Sequence, residues 1–302
     1  MEETFFSIII PHKNIPVLLQ RCLDSIPLRE DTQVIVVDDN SDPEIVDFGN
    51  FPGKERPDTT LIFTKEGKGA GYARNVGMDQ AVGKWLIFMD ADDFFSNAYN
   101  QILDEHKNDE EDILFCDNEA VMSDDIIVKA ERDSYAREAI HGLLANQDDD
   151  SYLRYNFHAL WGKIIRREML IHHSIRFHEV RWSNDEYFSC LIGCHAEKTR
   201  LVPKVLYVLT QRSESLTSHY LQSTEEFIIR LKEAICSERY MLTCGVRPTV
   251  YQSLNILSFK YSLCGGRRFR KIIRRSIKEP KVFQAMIIFY VRSRFEALKK
   301  LL

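Results

Sequence analysis

Three acidic side chains, Asp90, Asp92 and Asp93, follow a short apolar run in the segment WLIFMDADDFF, residues 85–95. Closely spaced carboxylates at the end of a strand suit a hard divalent cation. Mg²⁺ and Mn²⁺ prefer oxygen ligands and are often bound by one or two carboxylates together with substrate phosphates. The alternative is a polar loop, or a helix N-cap formed by Asp92 or Asp93.

A second acidic strand end lies in QVIVVDD, where Asp38 and Asp39 close an apolar run. Two acidic strand ends in one parallel sheet can face a single crevice, because ligands bind at the carboxyl ends of such strands. Asp39 could then accept hydrogen bonds from a base or ribose while the other acids hold a metal against a pyrophosphate. The stretch DDNSD is also a good turn sequence, which is the structural alternative for Asp38 and Asp39.

The elements that position these acids alternate between strand and helix patterns. FFSIIIP, QVIVVDD, TTLIFTK and KWLIFMD predict buried strands, and VLLQRCLDSI and GAGYARNVGMDQAVG predict helices. The apolar positions of the first predicted helix are Val17, Leu18, Cys22 and Ile26. This alternation is typical of an α/β protein with a mostly parallel sheet covered on both faces, and Pro11, Asp39 and Asp90 lie at its strand ends.

The later part of the chain continues the alternation and then becomes helical. EDILFCDNEAVM and LVPKVLYVLTQR predict strands, and LWGKIIRREMLIHH predicts a helix or a strand followed by a helix. NDEYFSCLIGCHA predicts a helix with Asp185 and Glu186 in its first turn, where acids suit the helix dipole. From Ser223 the chain is predicted to be helical, with interruptions at CGG (264–266) and Pro280.

The composition is that of a globular protein, with 44% hydrophobic and 28% charged residues among 302. No apolar segment reaches the roughly 18 to 20 residues that span a bilayer, and MEETFF carries acids where a signal peptide carries basic residues. The seven cysteines lack CxxC spacing, which favours thiols in a reducing compartment. Cys190, Cys194 and His195 are interpreted as core residues of a helix rather than metal ligands. These features predict a cytoplasmic protein.

The C-terminal residues form a basic amphipathic segment. Residues 264–302 contain 12 Lys and Arg against 2 Glu, in a chain whose net charge is −5. Within it, Phe269, Ile272, Ile273 and Ile277 can share an apolar stripe. A basic amphipathic helix is typical of binding to an anionic membrane, and packing on the rest of the chain and a homodimer interface are the alternatives. Nucleic acid is not predicted as a partner, because no aromatic and basic RNA motif accompanies the charge.

The loop GKGAGYARNVG could bring Lys68, Arg74 and backbone amides near a phosphate or a base. It is not a P-loop, since G-x-x-x-x-G-K-[ST] is absent, and it is not a dinucleotide-binding turn directly after the first strand. Taken alone, this loop is a weak signal.

Seven blocks of the sequence occur together in one order: SIIIPHKN, LLQRCLDSI, VIVVDDNSD, GAGYARNVGMDQAVGKWLIFMDADD, WGKIIRREML, NDEYF and YVLTQRSESLT. Over roughly residues 5–217 they resemble the family 2 glycosyltransferases of the GT-A fold, which has a Rossmann-like, mostly parallel sheet flanked by helices. The resemblance implies a catalytic domain at 1–220, with a nucleotide-binding half at about 1–95 and an acceptor-side half at about 96–220. The basic helical region at 221–302 lies outside it.

The resemblance also implies the reaction and its cofactor. A sugar moves from a nucleotide donor, most often UDP-linked, with inversion at the anomeric carbon and with Mn²⁺ or Mg²⁺ bound. Asp90 and Asp92 match the DxD motif, with Asp90 toward the ribose and metal and Asp92 as the firmer metal ligand. Our own prediction for Asp93 is that it caps the loop or supports the metal-binding carboxylates without touching the metal. Asp185 matches the acid that serves as catalytic base.

The donor site predicted in this way contains further residues outside the DxD motif. They are Pro11, Lys13, Asp39, Lys68, Arg74 and Arg212. Pro11 and Asp39 would line the nucleotide pocket, and Arg74 would approach the base or phosphates. Arg212 matches the loop that closes over the diphosphate, and Lys163 matches a block that flanks the acceptor.

Two positions depart from the family pattern. Lys13 stands where the family usually has an aromatic residue near the base, and it could contact a phosphate or ribose instead. Asn184 precedes Asp185 where the family usually has Glu, and the neighbouring Glu186 is the competing candidate for the base.

The predicted function is that of an inverting hexosyl- or N-acetylhexosaminyltransferase. Its acceptor would be a hydroxyl of a glycan or lipid-linked glycan, as in surface polysaccharide synthesis. A lipid-linked acceptor suits a peripheral location on the inner face of the cell membrane. Two alternatives stay open: a nucleotidyltransferase, and a non-catalytic nucleotide-sugar-binding or membrane scaffold protein.

Overall fold

The computed structural model describes residues 3–131, 140–141, 150–212, 221, 223–248 and 252–276. Contacts divide the chain into two compact units, Met1–Ser215 and Leu216–Leu302. Among the described residues, no helix combines the length and the apolarity that a bilayer crossing needs.

The first unit is built from alternating strands and helices. The strands are β1 (Phe6–His12), β2 (Thr32–Asp39), β3 (Thr59–Thr64), β4 (Trp85–Phe88), β5 (Phe94–Phe95), β6 (Ile113–Met122), β7 (Lys163–Arg166) and β8 (Thr199–Gln211). The helices are α1 (Pro16–Asp24), α2 (Ala70–Gln80), α3 (Tyr99–His106), α4 (Ser151–Tyr155), α5 (Arg167–His172) and α6 (Asn184–His195).

The described strands form one sheet in the order β3-β2-β1-β4-β7-β6-β8-β5. β3, β2, β1 and β4 pair in parallel, and β6 pairs in parallel with β8. β7 runs antiparallel to β4 and β6, and β5 runs antiparallel to β8. The prediction of an α/β fold with a mostly parallel sheet is confirmed, and β1, β2 and β4 end at the same edge.

Both faces of the sheet are buried, as the continuous apolar runs predict. Ile8 and Ile10 of β1 belong to one core cluster, and Ile9 between them belongs to the cluster on the other side. Helices therefore cover each face, and the strand ends are where polar groups can gather.

The apolar face predicted for the first helix is wrong in its first turn. Val17 is 79% exposed, whereas Leu19, Cys22 and Leu23 are buried. The helix begins at Pro16, and its buried positions, Leu19, Cys22 and Leu23, are three and four residues apart. That spacing leaves Val17 on the solvent side.

The second unit contains a pair of helices, α7 (Thr224–Thr243) and α8 (Gln252–Ser276). Ser223 caps α7, because its hydroxyl oxygen accepts a hydrogen bond from the backbone N–H of Glu226 at 2.9 Å. Phe227, Leu231 and Leu257 form the centre of a core cluster between the helices. Phe269 and Ile272 join this cluster, so part of the basic segment's apolar stripe packs within the unit.

The predicted interruption at 264–266 is wrong, because α8 continues through these residues. Two adjacent glycines cost a helix about 2 kcal/mol relative to alanines. Burial of Phe269 and Ile272 beyond them stabilises the continuation and outweighs that cost. Ile273, Ile277 and the predicted break at Pro280 lie outside the residues whose side chains or backbone are described.

Candidate functional site

The ends of β1, β2 and β4 bring three predicted site segments to one edge of the sheet. Pro11 lies opposite Val37 in the β1–β2 ladder, and Asp39 is the last residue of β2. Asp90 follows β4, and the N–H of the intervening Met89 donates to the carbonyl of Ile9 at 3.0 Å. The predicted convergence of Pro11, Asp39 and Asp90 is therefore present in the fold.

The loop DADD places three carboxylates together. Asp90, Asp92 and Asp93 each offer an oxygen, and these oxygens lie within 4.8 Å of one another. Asp93 is fully buried and accepts hydrogen bonds from the Tyr207 hydroxyl at 2.8 Å and the Thr210 N–H at 2.7 Å. The Tyr207 oxygen in turn accepts the N–H of Asp90 at 3.0 Å. Asp93 thus ties the loop to β8, as the loop-capping prediction expects.

Asp90 and Asp92 have the chemistry of cation ligands. Their side chains are 33% and 18% exposed, and each faces an arginine. Nη2 of Arg74 donates to Oδ1 of Asp90 at 2.6 Å, and Nη2 of Arg212 donates to Oδ2 of Asp92 at 2.8 Å. Two adjacent, partly exposed carboxylates fit a hard divalent cation. The metal-ligand roles of Asp90 and Asp92 stay a prediction.

Arg21 of α1 holds the same loop, and the sequence analysis missed it. Its Nη2 donates to the backbone carbonyl of Asp92 at 2.7 Å, and its Nη1 donates to the carbonyl of Ser123 at 2.9 Å. The Thr210 hydroxyl donates to the Asp92 carbonyl at 2.7 Å. A single arginine in an amphipathic helix looks like a surface residue in sequence, so no signal pointed to this role.

Asp38 and His12 form a buried pair beneath the strand ends. Nδ1 of His12 lies 2.8 Å from Oδ2 of Asp38, and Nε2 accepts the N–H of Ile15 at 3.2 Å. A neutral imidazole with its proton on Nδ1 satisfies both contacts. Burial raises the pKa of Asp38, but hydrogen bonds from His12 and Ser41 outweigh burial and lower it overall. Asp38 therefore has the structural role that the turn interpretation predicts.

Asp39 organises the loop before α2. Its two carboxylate oxygens accept the backbone N–H groups of Lys68 at 3.0 Å and Gly69 at 2.7 Å. Lys13 Nζ donates to the Asp39 carbonyl at 2.9 Å and is half exposed. Lys68 Nζ is also half exposed and lies 3.6 Å from Glu179. The structure brings Lys13, Asp39 and Lys68 together, and their contacts with a nucleotide stay a prediction.

Three residues with positive φ flank these contacts. Asn14 and Asn40 have φ of 59°, and Ser183, directly before α6, has φ of 54°. Such conformations cost a non-glycine residue of order 1 kcal/mol and cluster at functional sites. Asn14 follows β1, Asn40 follows β2, and Ser183 precedes α6, so all three lie in the segments that carry the predicted site.

The first turn of α6 separates the two candidates for the base. Asp185 is partly exposed, whereas Glu186 is buried and its Oε1 lies 3.5 Å from Nδ1 of His158. An acceptor hydroxyl can reach a partly exposed carboxylate more readily than one turned into the core. The geometry favours Asp185 over Glu186, and the base role of Asp185 stays a prediction.

Lys163 is buried behind this turn. Its Nζ donates to the Phe157 carbonyl at 2.6 Å and to the Ser189 hydroxyl, one turn beyond Asp185, at 3.1 Å. Burial lowers the pKa of Lys163 to about 7, and the negative charge of Asp185 partly offsets that effect. Lys163 thus supports α6 from the core.

We expect Lys163 to make stability depend on pH. The folded pKa of about 7 lies below the unfolded value of 10.5, so the unfolded chain binds more protons between these values. Stability therefore rises with pH through that window. Below it Lys163 is charged in both states, so its destabilising effect is at its largest and does not change with pH. Relative to Lys163→Met, the wild type should gain about 2 kcal/mol between pH 7 and 9, measured by urea unfolding. A difference that stays constant with pH would contradict the lowered pKa.

The cysteine and histidine residues of α6 differ in their surroundings. Cys190 is buried and His195 stacks on His173 with ring centroids 4.0 Å apart. None of the six cysteines whose side chains are described is joined in a disulfide. Of the two cysteines of α6, Cys190 lies in the core, as predicted, whereas Cys194 is only partly buried.

Sequence comparison identifies the family. The family model described as Glycosyl transferase family 2 matches residues 7–171, more than half of the chain. The chain belongs to this family. This family 2 glycosyltransferase is 25% identical over 293 residues to the uncharacterized glycosyltransferase EpsJ of Bacillus subtilis, covering 90% of this chain and 82% of that one. It is 37% identical over 100 residues, 32% of this chain and 39% of the relative, to a PGL/p-HBAD biosynthesis glycosyltransferase of Mycobacterium bovis.

Solved structures show the fold of this family 2 glycosyltransferase. S. aureus TarS 1–349 in complex with UDP superposes with a TM-score of 0.60 at 18% identity, covering 93% of this chain and 80% of that one. A longer TarS chain superposes with a TM-score of 0.58 at 20% identity, and the match covers 85% of this chain and 42% of that one. The mannosyltransferase PcManGT of Pyrobaculum calidifontis, in complex with GDP-Man and Mn²⁺, superposes with a TM-score of 0.54 at 17% identity. The match covers 98% of this chain and 81% of that one. The fold is GT-A, as predicted.

Proposed function

We propose that this glycosyltransferase moves a sugar from a nucleotide-sugar donor, UDP-linked in the first instance, to a hydroxyl of a glycan or lipid-linked glycan, with inversion. The observation that carries the proposal is that Asp39, Asp90 and Asp92 lie at strand ends on one edge of the sheet. At this edge Asp90 pairs with Arg74, which also reaches α6. This edge is where ligands bind in open α/β sheets.

In the proposed reaction Asp185 takes the proton of the acceptor hydroxyl as the new bond to the anomeric carbon forms. The hydroxyl attacks opposite the leaving diphosphate, so the carbon inverts and no covalent enzyme intermediate is needed. Arg212, which pairs with Asp92, would stabilise negative charge on the leaving group. A divalent cation bound by Asp90 and Asp92 would supply further stabilisation of that charge.

The donor and the metal are supported by the neighbours rather than by residues specific to one sugar. TarS structures carry UDP and UDP-GlcNAc, and the PcManGT structure carries GDP-Man and Mn²⁺. We propose Mn²⁺ or Mg²⁺ as the cofactor and a hexosyl or N-acetylhexosaminyl group as the sugar. Pro11, Lys13, Asp39, Lys68 and Arg74 are the proposed surroundings of the nucleotide.

The acceptor and location are proposed from the relatives and the second unit. EpsJ and the mycobacterial relative carry glycosyltransferase names, the latter in PGL/p-HBAD biosynthesis. Arg267, Arg268 and Lys271 of α8 are exposed, and this basic face suits the cytoplasmic side of an anionic membrane. A homodimer through the same helix remains the alternative use of that face.

A donor screen tests the proposed function. With Mn²⁺ present, one UDP- or GDP-sugar is expected to raise the melting temperature several degrees more than the others, and EDTA should remove the effect. Transfer or slow hydrolysis of that donor would complete the assignment. Donor binding without either reaction, over a panel of glycan acceptors, would favour a non-catalytic binding protein, and stabilisation by nucleoside triphosphates alone would favour a nucleotidyltransferase.

A further inference from the structure

α2 holds the segment that leads into α6. Nδ2 of Asn75 donates to the carbonyl of Phe177 at 3.0 Å, and Oδ1 of Asn75 accepts the N–H of Phe177 at 3.0 Å. One side chain thereby satisfies both backbone groups of a residue shortly before α6. The segment is fixed to α2 by hydrogen bonds as well as by packing.

Arg74, next to Asn75, makes a second connection. Its Nη1 donates to Oδ1 of Asn184 at 2.6 Å, and its Nη2 donates to Oδ1 of Asp90 at 2.6 Å. The side chain is 8% exposed, and the guanidinium carbon lies 5.4 Å from the centroid of the Phe177 ring. Burial and bonds at both ends hold the guanidinium in one position.

The packing between α2 and α6 is too close for a side chain at Gly71. A Cβ there would lie 2.4 Å from the carbonyl oxygen of His178 and 3.0 Å from Cβ of Asn184. This close approach brings Arg74 within reach of Asn184. It also leaves little space for the start of α6 to shift toward α2.

Asn184, the first residue of α6, directly follows a strained residue. Ser183 before it has φ of 54°, which persists only where surrounding contacts impose it. Nδ2 of Asn184 donates to the carbonyl of Val180 at 3.3 Å, while its Oδ1 accepts from Arg74. The buried amide therefore joins the strained turn, the helix start and the arginine.

We propose that Arg74 and Asn184 form a positioning pair that sets Asp185 relative to Asp90. The inference rests on the proposed function, in which Asp185 is the base and Asp90 lies beside the donor. Asp185 follows Asn184 directly, so its distance from the donor depends on where Asn184 is held. In this arrangement Arg74, besides its proposed place beside the nucleotide, acts through its bonds to Asp90 and Asn184. Reactions of this kind are sensitive to displacements of about 1 Å.

Asn184→Ala is the first test, because it removes the amide and leaves the Arg74–Asp90 pair. We expect kcat to fall about 10- to 100-fold while the Kd of UDP with Mn²⁺, measured by calorimetry, changes less than about twofold. Asn184→Asp should restore most of kcat, since its carboxylate can accept the same hydrogen bond. Asn100→Ala, an exposed position on α3, is the matched control and should resemble the wild type.

The outcomes separate this inference from the proposed function. Parallel loss of kcat and UDP affinity in Asn184→Ala, or unchanged kcat, would overturn the positioning role. Hydrogen–deuterium exchange of residues 184–188 needs no donor, and we expect it to be faster in both Asn184→Ala and Arg74→Met. If both variants exchange faster and the wild-type protein binds no nucleotide sugar, the pair is supported and the proposed function is refuted. If exchange in the variants equals that of the wild type, the pair is refuted.

Discussion

Replacing Asp185 by Asn is expected to lower kcat by about 10²- to 10⁴-fold, because the acceptor hydroxyl would lose the carboxylate that takes its proton. The substitution keeps the size and the partial exposure of the side chain. The affinity for UDP with Mn²⁺ should therefore change little. Steady-state kinetics with the donor identified by the screen, together with calorimetry, measures both quantities.

Glu186→Gln is the comparison that makes the Asp185 experiment decisive. Glu186 is buried and faces His158, so its amide analogue should retain most of the activity. The large loss of kcat should therefore occur in Asp185→Asn and not in Glu186→Gln. The reverse result, an inactive Glu186→Gln and an active Asp185→Asn, would transfer the base role to Glu186.

Replacing Asp92 by Asn is expected to remove the stabilisation by Mn²⁺ and to lower kcat/KM by about 100-fold or more, roughly 3 kcal/mol. A neutral amide is a poor substitute for a carboxylate ligand of a hard cation. The fold should survive, because Arg21 and Thr210 hold the backbone carbonyl of Asp92, which the substitution does not alter. Calorimetric titration with Mn²⁺ and kinetics at rising metal concentration measure the effect.

Two other aspartates, one distant in the sequence and one adjacent in the loop, serve as controls for the Asp92 experiment. Asp42→Asn, at an exposed position in the loop after β2, should bind Mn²⁺ as the wild type does. Asp93→Asn should lower the unfolding midpoint instead, because Asp93 is buried and bonded to Tyr207 and Thr210. Normal Mn²⁺ binding by Asp92→Asn would show that Asp92 is not a metal ligand.

Strands, and the acids that follow them, were predictable because their signals are local. The runs SIIIP, VIVVDD and WLIFMD contain only a few residues each, and the structure has strands at all three. The face of α1 was predicted less well, since Val17 lies on the solvent side. The buried face of a helix depends on where the helix begins and on which element packs against it. A sequence segment of ten residues determines neither.

Interactions between distant residues were the part that could not be predicted. Arg21 reaches Asp92 and Ser123, which lie about 70 and 100 positions away. Arg74 reaches Asn184 across a sequence separation of 110. No periodicity or motif encodes such pairs, because they form only after the sheet order and the helix crossings have been set.

By itself the sequence determined the alternation of apolar strands and helices, the acidic ends of β2 and β4, and the acids in the first turn of α6. These follow from residue type and short-range spacing, which also carry the resemblance to family 2 glycosyltransferases. Tertiary structure alone decided that Asp93 is buried against β8, that Glu186 faces the core, and that Arg74 spans Asp90 and Asn184. The physical reason is that burial and hydrogen-bond partners depend on which surfaces meet across the fold.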